Sequence, residues 1–193
     1  TGHSNLYFEI SEFASYLWVS AFRTKLSDLD TVLARLQENF PNVSVQFLDL
    51  DKIAGSRYAL HATLNALRSF HSKRPISRTL GMEILLYMAA NRQVTEALKL
   101  VGLSSETRKT AAVLVGKSKE ELTKAADFVA ELLNQMYEDS LVDDWSAERI
   151  ENVRSTFGIG EKELEATMRK GESLARALER LATERSALLT IRK

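Results

Sequence analysis

From Ile53 to Met82 the chain runs thirty residues without an acidic side chain, and in that stretch stand Arg57, Arg68, Lys73, Arg74 and Arg78, with His61 and His71 among them. In a protein of zero net charge this is a local cationic field. Clustered cations of this kind neutralise phosphates and give salt-sensitive affinity for them. The run is not one continuous helix face, because Pro75 biases Arg74 away from helical geometry at Lys73-Arg74-Pro75. Charge is segregated elsewhere too. Thirteen acidic residues from Glu120 to Glu165 face only Lys124, Arg149, Arg154 and Lys162, and from Arg169 onward seven basic residues face Glu172, Glu179 and Glu184. Blocks like these are commonly solvated helix faces.

Covalent or metal chemistry finds little support in the residue types. Gly116-Lys117-Ser118 resembles the end of a phosphate-binding P-loop, but the glycine that the motif needs five positions earlier is Ala111. The plainer alternative is a strand-to-helix turn with Ser118 as the helix cap. Gly158-Ile159-Gly160 lacks a third glycine and follows no strand, which suits a break between helices. His61 and His71 lie in a basic stretch that repels a metal cation, and the carboxylates a metal site would need are missing there. No metal and no cofactor are expected. A Ser77–His71 pair has neither a third orienting group nor an oxyanion motif. No catalytic residue is assigned, and the chain is expected not to be an enzyme. Trp18 and Trp145 are expected to pack rather than to form a ligand platform.

With 193 residues and 45% apolar content the chain can bury one good core. A single domain over 1–193 is expected: strands and a first helix in 1–50, a basic helix and the next two helices in 53–102, a strand and C-terminal helices in 110–193. There is no cysteine, which is compatible with a reducing cytosol. The longest apolar stretches fall far short of the roughly 20 residues a membrane-spanning helix needs. A soluble, cytoplasmic protein is expected, with no membrane partner. Thr1-Gly2-His3-Ser4 carries no functional weight.

The positioning elements alternate strand and helix. Leu6–Ile10 and Tyr16–Phe22 have the aromatic and β-branched content of strands. Ser27 followed by Asp30 predicts a helix start, with Leu29, Val32, Leu33 and Leu36 at helical spacing until Phe40-Pro41. Residues 43–51 alternate like a half-buried strand. From Ala54 to Phe70, Leu60, Leu64, Leu67 and Phe70 share one helical face. The next helix starts between Ser77 and Thr79, with a strongly apolar interior from Leu80 to Met88. Asn91 can cap a short helix ending near Gly102. Ala111–Val115 predicts a central strand, and Ser118 with Glu121 a capping box opening a helix to about Tyr137. Helices over Ala147–Ser155 and from Glu161 to about Leu188 complete the chain. The fold class is α/β (α+β): a small mixed or antiparallel sheet of about four strands covered by about seven helices.

Arg78-Thr79-Leu80-Gly81-Met82-Glu83-Ile84-Leu85-Leu86, the turn at Asn91-Arg92-Gln93-Val94, and Glu96-Ala97-Leu98-Lys99 before Gly102-Leu103 resemble the central signature of a known family. This is the small non-catalytic subunit of the KEOPS complex that binds its atypical kinase, the PRPK-binding protein family, in its archaeal type. The resemblance is strong over about Leu60 to Gly102. It continues more loosely through Phe157-Gly158-Ile159 and Leu178-Glu179-Arg180, and the first fifty residues match in pattern only. The chain is longer than archaeal members at its N-terminal end and around Glu138–Asp144.

The resemblance implies an adaptor in the threonylcarbamoyladenosine modification of tRNA, which docks on the kinase and recruits tRNA by its single-stranded 3′ CCA end. Other KEOPS subunits would be indirect partners. On that footing Lys73, Arg74, Arg78 and Arg92 would meet phosphates, His71, Phe70 or an arginine plane would stack on a base, and Ser77 and Asn91 would bond base edges. The alternative for Arg78 is a helix-start residue paired with a core carboxylate such as Glu83. Leu174, Leu178 and Leu181, with Ala177 and Ala182, make a helical stripe that is either core or, where exposed, the kinase-docking face. The rival function is a purely structural interaction subunit that makes no direct contact with RNA.

Overall fold

Aromatic and β-branched residues at the start of the chain build a hairpin, β1 (Leu6–Ile10) and β2 (Ser15–Phe22), paired from Leu6↔Val19 to Ile10↔Ser15. A one-turn 3-10 helix joins them, and Ala14 in the left-handed region (φ 45°) closes it with an N–H to the Ser11 carbonyl. The computed structural model describes residues 6–72 and 74–191. Two further strands, β3 (Ser44–Asp49) and β4 (Thr110–Gly116), complete a sheet of order β1-β2-β4-β3 in which every neighbouring pair is antiparallel. Every residue of β4 is buried. Its apolar run therefore forms an inner strand, as its composition predicts.

Among the described residues there are eight α-helices: α1 (Leu29–Asn39), α2 (Ser56–Phe70), α3 (Leu80–Ala89), α4 (Val94–Val101), α5 (Lys119–Leu133), α6 (Ala147–Phe157), α7 (Glu161–Thr167) and α8 (Leu174–Ala187). The α/β class and the small antiparallel sheet agree with the expectation from sequence. Backbone contacts gather the chain into two units, Thr1–Leu50 with Leu103–Val142, and Asp51–Gly102 with Asp143–Lys193.

The first unit holds the sheet with α1 and α5. Its core includes Trp18, Phe22, Leu36, Phe47, Leu114, Leu122 and Val129. The Trp18 ring meets Tyr137 edge-on with centroids 5.0 Å apart, so this tryptophan is a packing residue. Caps define the helices. Asp28, rather than Ser27, caps α1, its Oδ1 accepting from Thr31 N–H at 3.2 Å, and Ser118 Oγ accepts from Glu121 N–H at the start of α5. The latter helix stops at Leu133, short of Tyr137, because Asn134 turns left-handed (φ 51°). Tyr137 instead returns to the core and donates its hydroxyl to Asp127.

The second unit is helical. Of the apolar residues that share one helical face of α2 by periodicity, Leu67 is buried, while Leu60, Leu64 and Phe70 are half-buried. The packed face is Tyr58, Ala59, Ala62, Thr63, Ala66 and Leu67. Small side chains let α3 and α8 approach the α2 backbone closely. The end of α3 is fixed from both neighbours, with Tyr58 Oη donating to the Met88 carbonyl at 2.5 Å and Ser186 Oγ to the Tyr87 carbonyl at 2.7 Å. The predicted helix 147–155 runs on to Phe157 and is closed by Gly158 (φ 60°).

The single long helix expected from Glu161 to Leu188 is two, α7 and α8. Met168 is extended, Gly171 is left-handed (φ 77°), and Ser173 Oγ caps α8 through the Arg176 N–H. Arg180 closes the break by donating to the Thr167 carbonyl and to both Glu172 oxygens at 3.0–3.1 Å. That guanidinium, with the Arg169 N–H, holds the Glu172 carboxyl well below the ordinary range, at about 2. A carboxyl depressed on folding adds stability that is fully present above its unfolded pKa and is lost as pH falls toward the folded value, here between about pH 5 and about pH 2. Arg180→Gln is thus expected to destabilise the protein at about pH 6 and much less near pH 2.5, measured by urea denaturation. A deficit that does not change with pH would assign the contribution of Arg180 to packing alone.

Candidate functional site

Thr79 caps α3, its Oγ accepting from Met82 N–H at 3.2 Å, and this places Glu83 in the first helical turn. A carboxylate is favoured there by the helix dipole, but this one is fully buried. It is satisfied by neutral donors: Ser69 Oγ at 2.5 Å, Ile76 N–H at 3.2 Å, Ser77 N–H at 2.7 Å and Ser77 Oγ at 2.6 Å. Among the described residues Arg78 is not a partner of Glu83 and lies exposed. The Arg78–Glu83 alternative is therefore set aside. The basic turn wraps around a buried anion that is held by hydroxyls and backbone.

Beside this turn runs a groove of about 600 Å³, lined by Arg68, Arg74, Arg92, Ile76, Tyr87 and Leu189 with Ser69, Ser72 and Thr190. No carboxylate is among these lining residues. Arg92 Nη1 donates to the Leu189 carbonyl at 3.3 Å, and Arg92 and Leu189 also border a second concavity with Asn91, Gln93 and Arg185. Asn91 Oδ1 accepts from Gln93 N–H at 2.8 Å, so this side chain shapes the turn into α4. That helix begins at Val94, and its cap is Gln93, two residues beyond the expected Asn91.

The residues singled out from sequence divide accordingly. Arg74 and Arg92 come together in the groove, Asn91 and Arg92 in the adjoining concavity. His71 ends α2, exposed, with its ring edge-on to Phe70 at 6.0 Å. Ser77 is engaged by Glu83, Arg78 lines neither concavity, and Lys73 lies outside the described residues. Arg68, Arg185, Leu189 and Thr190 were not assigned from sequence. The last three arrive from the far end of the chain, where the sequence signal was the block of basic residues from Arg169 onward. Chemically the groove offers guanidinium planes and aliphatic walls. The Tyr87 ring is buried and gives no stacking surface.

The α8 stripe is core. Ala177, Leu178, Leu181 and Ala182 are buried where α8 meets α2, α3 and α6, and Leu174 alone is exposed, at 37%. Small residues beside leucines serve close helix packing here, not an open docking face. Exposed apolar side chains lie elsewhere in this unit, Val94 and Leu98 on α4 and Ile191 at the chain end among them.

The residues weighed for catalysis serve the fold. Lys117 Nζ donates to the Phe13 carbonyl at 2.5 Å, Ser118 caps α5, and the Ser77 hydroxyl lies between Glu83 and the Thr79 carbonyl. Trp145 lies under the Arg149 guanidinium, 4.8 Å from ring centroid to Cζ. Among the described residues no group of three or more His, Cys, Asp or Glu could hold a metal ion, and no helix is long and apolar enough to cross a membrane.

The family model described as kinase binding protein CGI-121 matches residues 24–189. The regulatory protein Cgi121 of the archaeon Methanocaldococcus jannaschii is 34% identical over 71 residues. That stretch is 36% of this chain and 46% of the relative, so the match spans a little under half of the relative's length.

Proposed function

The chain belongs to the kinase binding protein CGI-121 family, and on that premise we propose that it is a non-catalytic adaptor that binds a protein kinase and recruits tRNA by its single-stranded 3′ CCA end. The resemblance to the small KEOPS subunit supports a role in threonylcarbamoyladenosine modification. The observation that carries the RNA half is the acid-free groove lined by Arg68, Arg74 and Arg92. Guanidinium groups bind phosphate bidentately and stack on planar bases, so arginines can supply both contacts where aromatic platforms are lacking. The groove favours an unpaired strand, whose phosphates and base faces are both accessible. Support for the kinase half is the family itself. Of the α8 residues, Leu174 is the one whose exposure suits a partner face.

The test is binding of the purified chain to full-length tRNA and to the same tRNA lacking its 3′ CCA, each at low and moderate salt. Adaptor function predicts binding that weakens with salt and is lost with the tail. Equal binding to both RNAs would reduce the groove to nonspecific electrostatics. No binding to either would leave a purely structural protein-interaction subunit.

A further inference from the structure

We propose that Glu83 is the positioning residue of the basic turn, setting the width of the groove without entering it; the proposal rests on the tRNA reading of that groove. Glu83 is absent from the groove lining, yet it bonds two residues that line it, Ser69 through its hydroxyl and Ile76 through its N–H. These contacts tie the last turn of α2, the segment after Pro75 and the first turn of α3 to one carboxylate. Pro75 has no N–H to offer, so the chain direction after it depends on the next two amides, those of Ile76 and Ser77. Both point to Glu83. A buried carboxylate is costly unless its oxygens are satisfied, and here Oε1 takes Ser69 and Ile76 while Oε2 takes both donors of Ser77. The same bonds that make the anion tolerable hold the backbone that carries Arg74 and Arg78. Glutamine in its place keeps the shape but turns one oxygen into an NH2, which cannot accept from either set of donors.

The experiment tracks Glu83→Gln and Ser77→Ala by amide hydrogen exchange and by tRNA affinity, at a temperature where circular dichroism shows each variant folded. In the wild type the amides of Ile76 and Ser77, bonded to a buried acceptor, should exchange on the order of 100-fold more slowly than the amide of neighbouring exposed Arg78, which has no acceptor among the described residues. In Glu83→Gln that protection should fall, and tRNA affinity should drop about tenfold as the groove loses its preorganisation. Ser77→Ala removes one of the donors and should show a smaller loss of both. Should Glu83→Gln fail to fold, the wild-type exchange pattern and Ser77→Ala still decide. Unprotected Ile76 and Ser77 amides in the wild type overturn the proposal, as does full tRNA affinity in a variant whose protection is lost. A wild type that binds no tRNA overturns the functional reading instead, while the exchange data report independently whether Glu83 holds the turn.

Discussion

Replacing Arg149 by alanine will lower the free energy of unfolding by about 3–5 kcal/mol, the loss typical of removing one member of a buried charged network. Arg149 is only 1% exposed. Its Nε and Nη2 donate to the Ile53 carbonyl at 3.3 and 2.8 Å, its Nη1 donates to the Asp144 carbonyl at 2.9 Å, and its plane lies over Trp145. Burial pushes the guanidinium below its usual range, and the carboxylates of Asp51, Asp143, Asp144 and Glu179 pull it back up. Alanine leaves a buried carbonyl without its donors and these carboxylates without their inner cation. Among them Glu179 is already raised by burial and by Asp143, against the pull of Arg176 and Arg57. Arg149→Lys keeps the charge but not the planar fork that reaches both carbonyls, and it should recover less than half of the loss. Urea denaturation with an unchanged slope reads both. A deficit below about 1 kcal/mol for alanine would mean that water or a rearranged loop replaces the guanidinium.

Arg149 also shows where the sequence stops being informative. In the chain it is one of four cations in an acidic segment, and its burial depends on the distant Ile53 carbonyl, which no local pattern links to it. Elements whose causes are local were legible: the strands β1 and β2, the inner strand β4, the Ser118 cap and an α3 start between Ser77 and Thr79 all rest on residues within a few positions of one another. What depended on partners was not. The buried face of α2 is alanine-rich because α3 and α8 come close, so the largest apolar residues pointed to a different face. The α8 stripe had the right spacing for a docking surface, but spacing cannot tell core from interface. The break between α7 and α8 is held by Arg180 reaching back to Thr167 and Glu172, a tertiary clasp inside an otherwise helical pattern. The cationic part of the groove lining was visible from charge alone, and the part supplied by Leu189 and Thr190 was not.

The double variant Lys73→Glu/Arg74→Glu should lose tRNA affinity on the order of 100-fold near 0.1 M salt. The groove lining includes Arg74 and contains no carboxylate, so a reversed charge there meets phosphates with no cation gained elsewhere. If each basic residue neutralises one phosphate of a single strand, the salt dependence of log K should flatten by about 1.4, at about 0.7 per contact. The fold should not register the change. Arg74 is exposed, and its N–H bond to Ser72 Oγ belongs to the backbone and survives substitution. Exposed substitutions of this kind usually stay within about 0.5 kcal/mol, so the melting temperature should hold. Lys25→Glu/Lys124→Glu, which shifts the charge by the same four units, is the matched control, since both lysines are exposed and belong to the first unit, and Lys124 pairs only with Glu120 among the described residues. Loss of affinity in the double variant with none in the control locates the RNA site at the basic turn. Equal weakening in both would show that tRNA responds to overall charge, and no change in either would leave kinase binding as the whole of the adaptor's work.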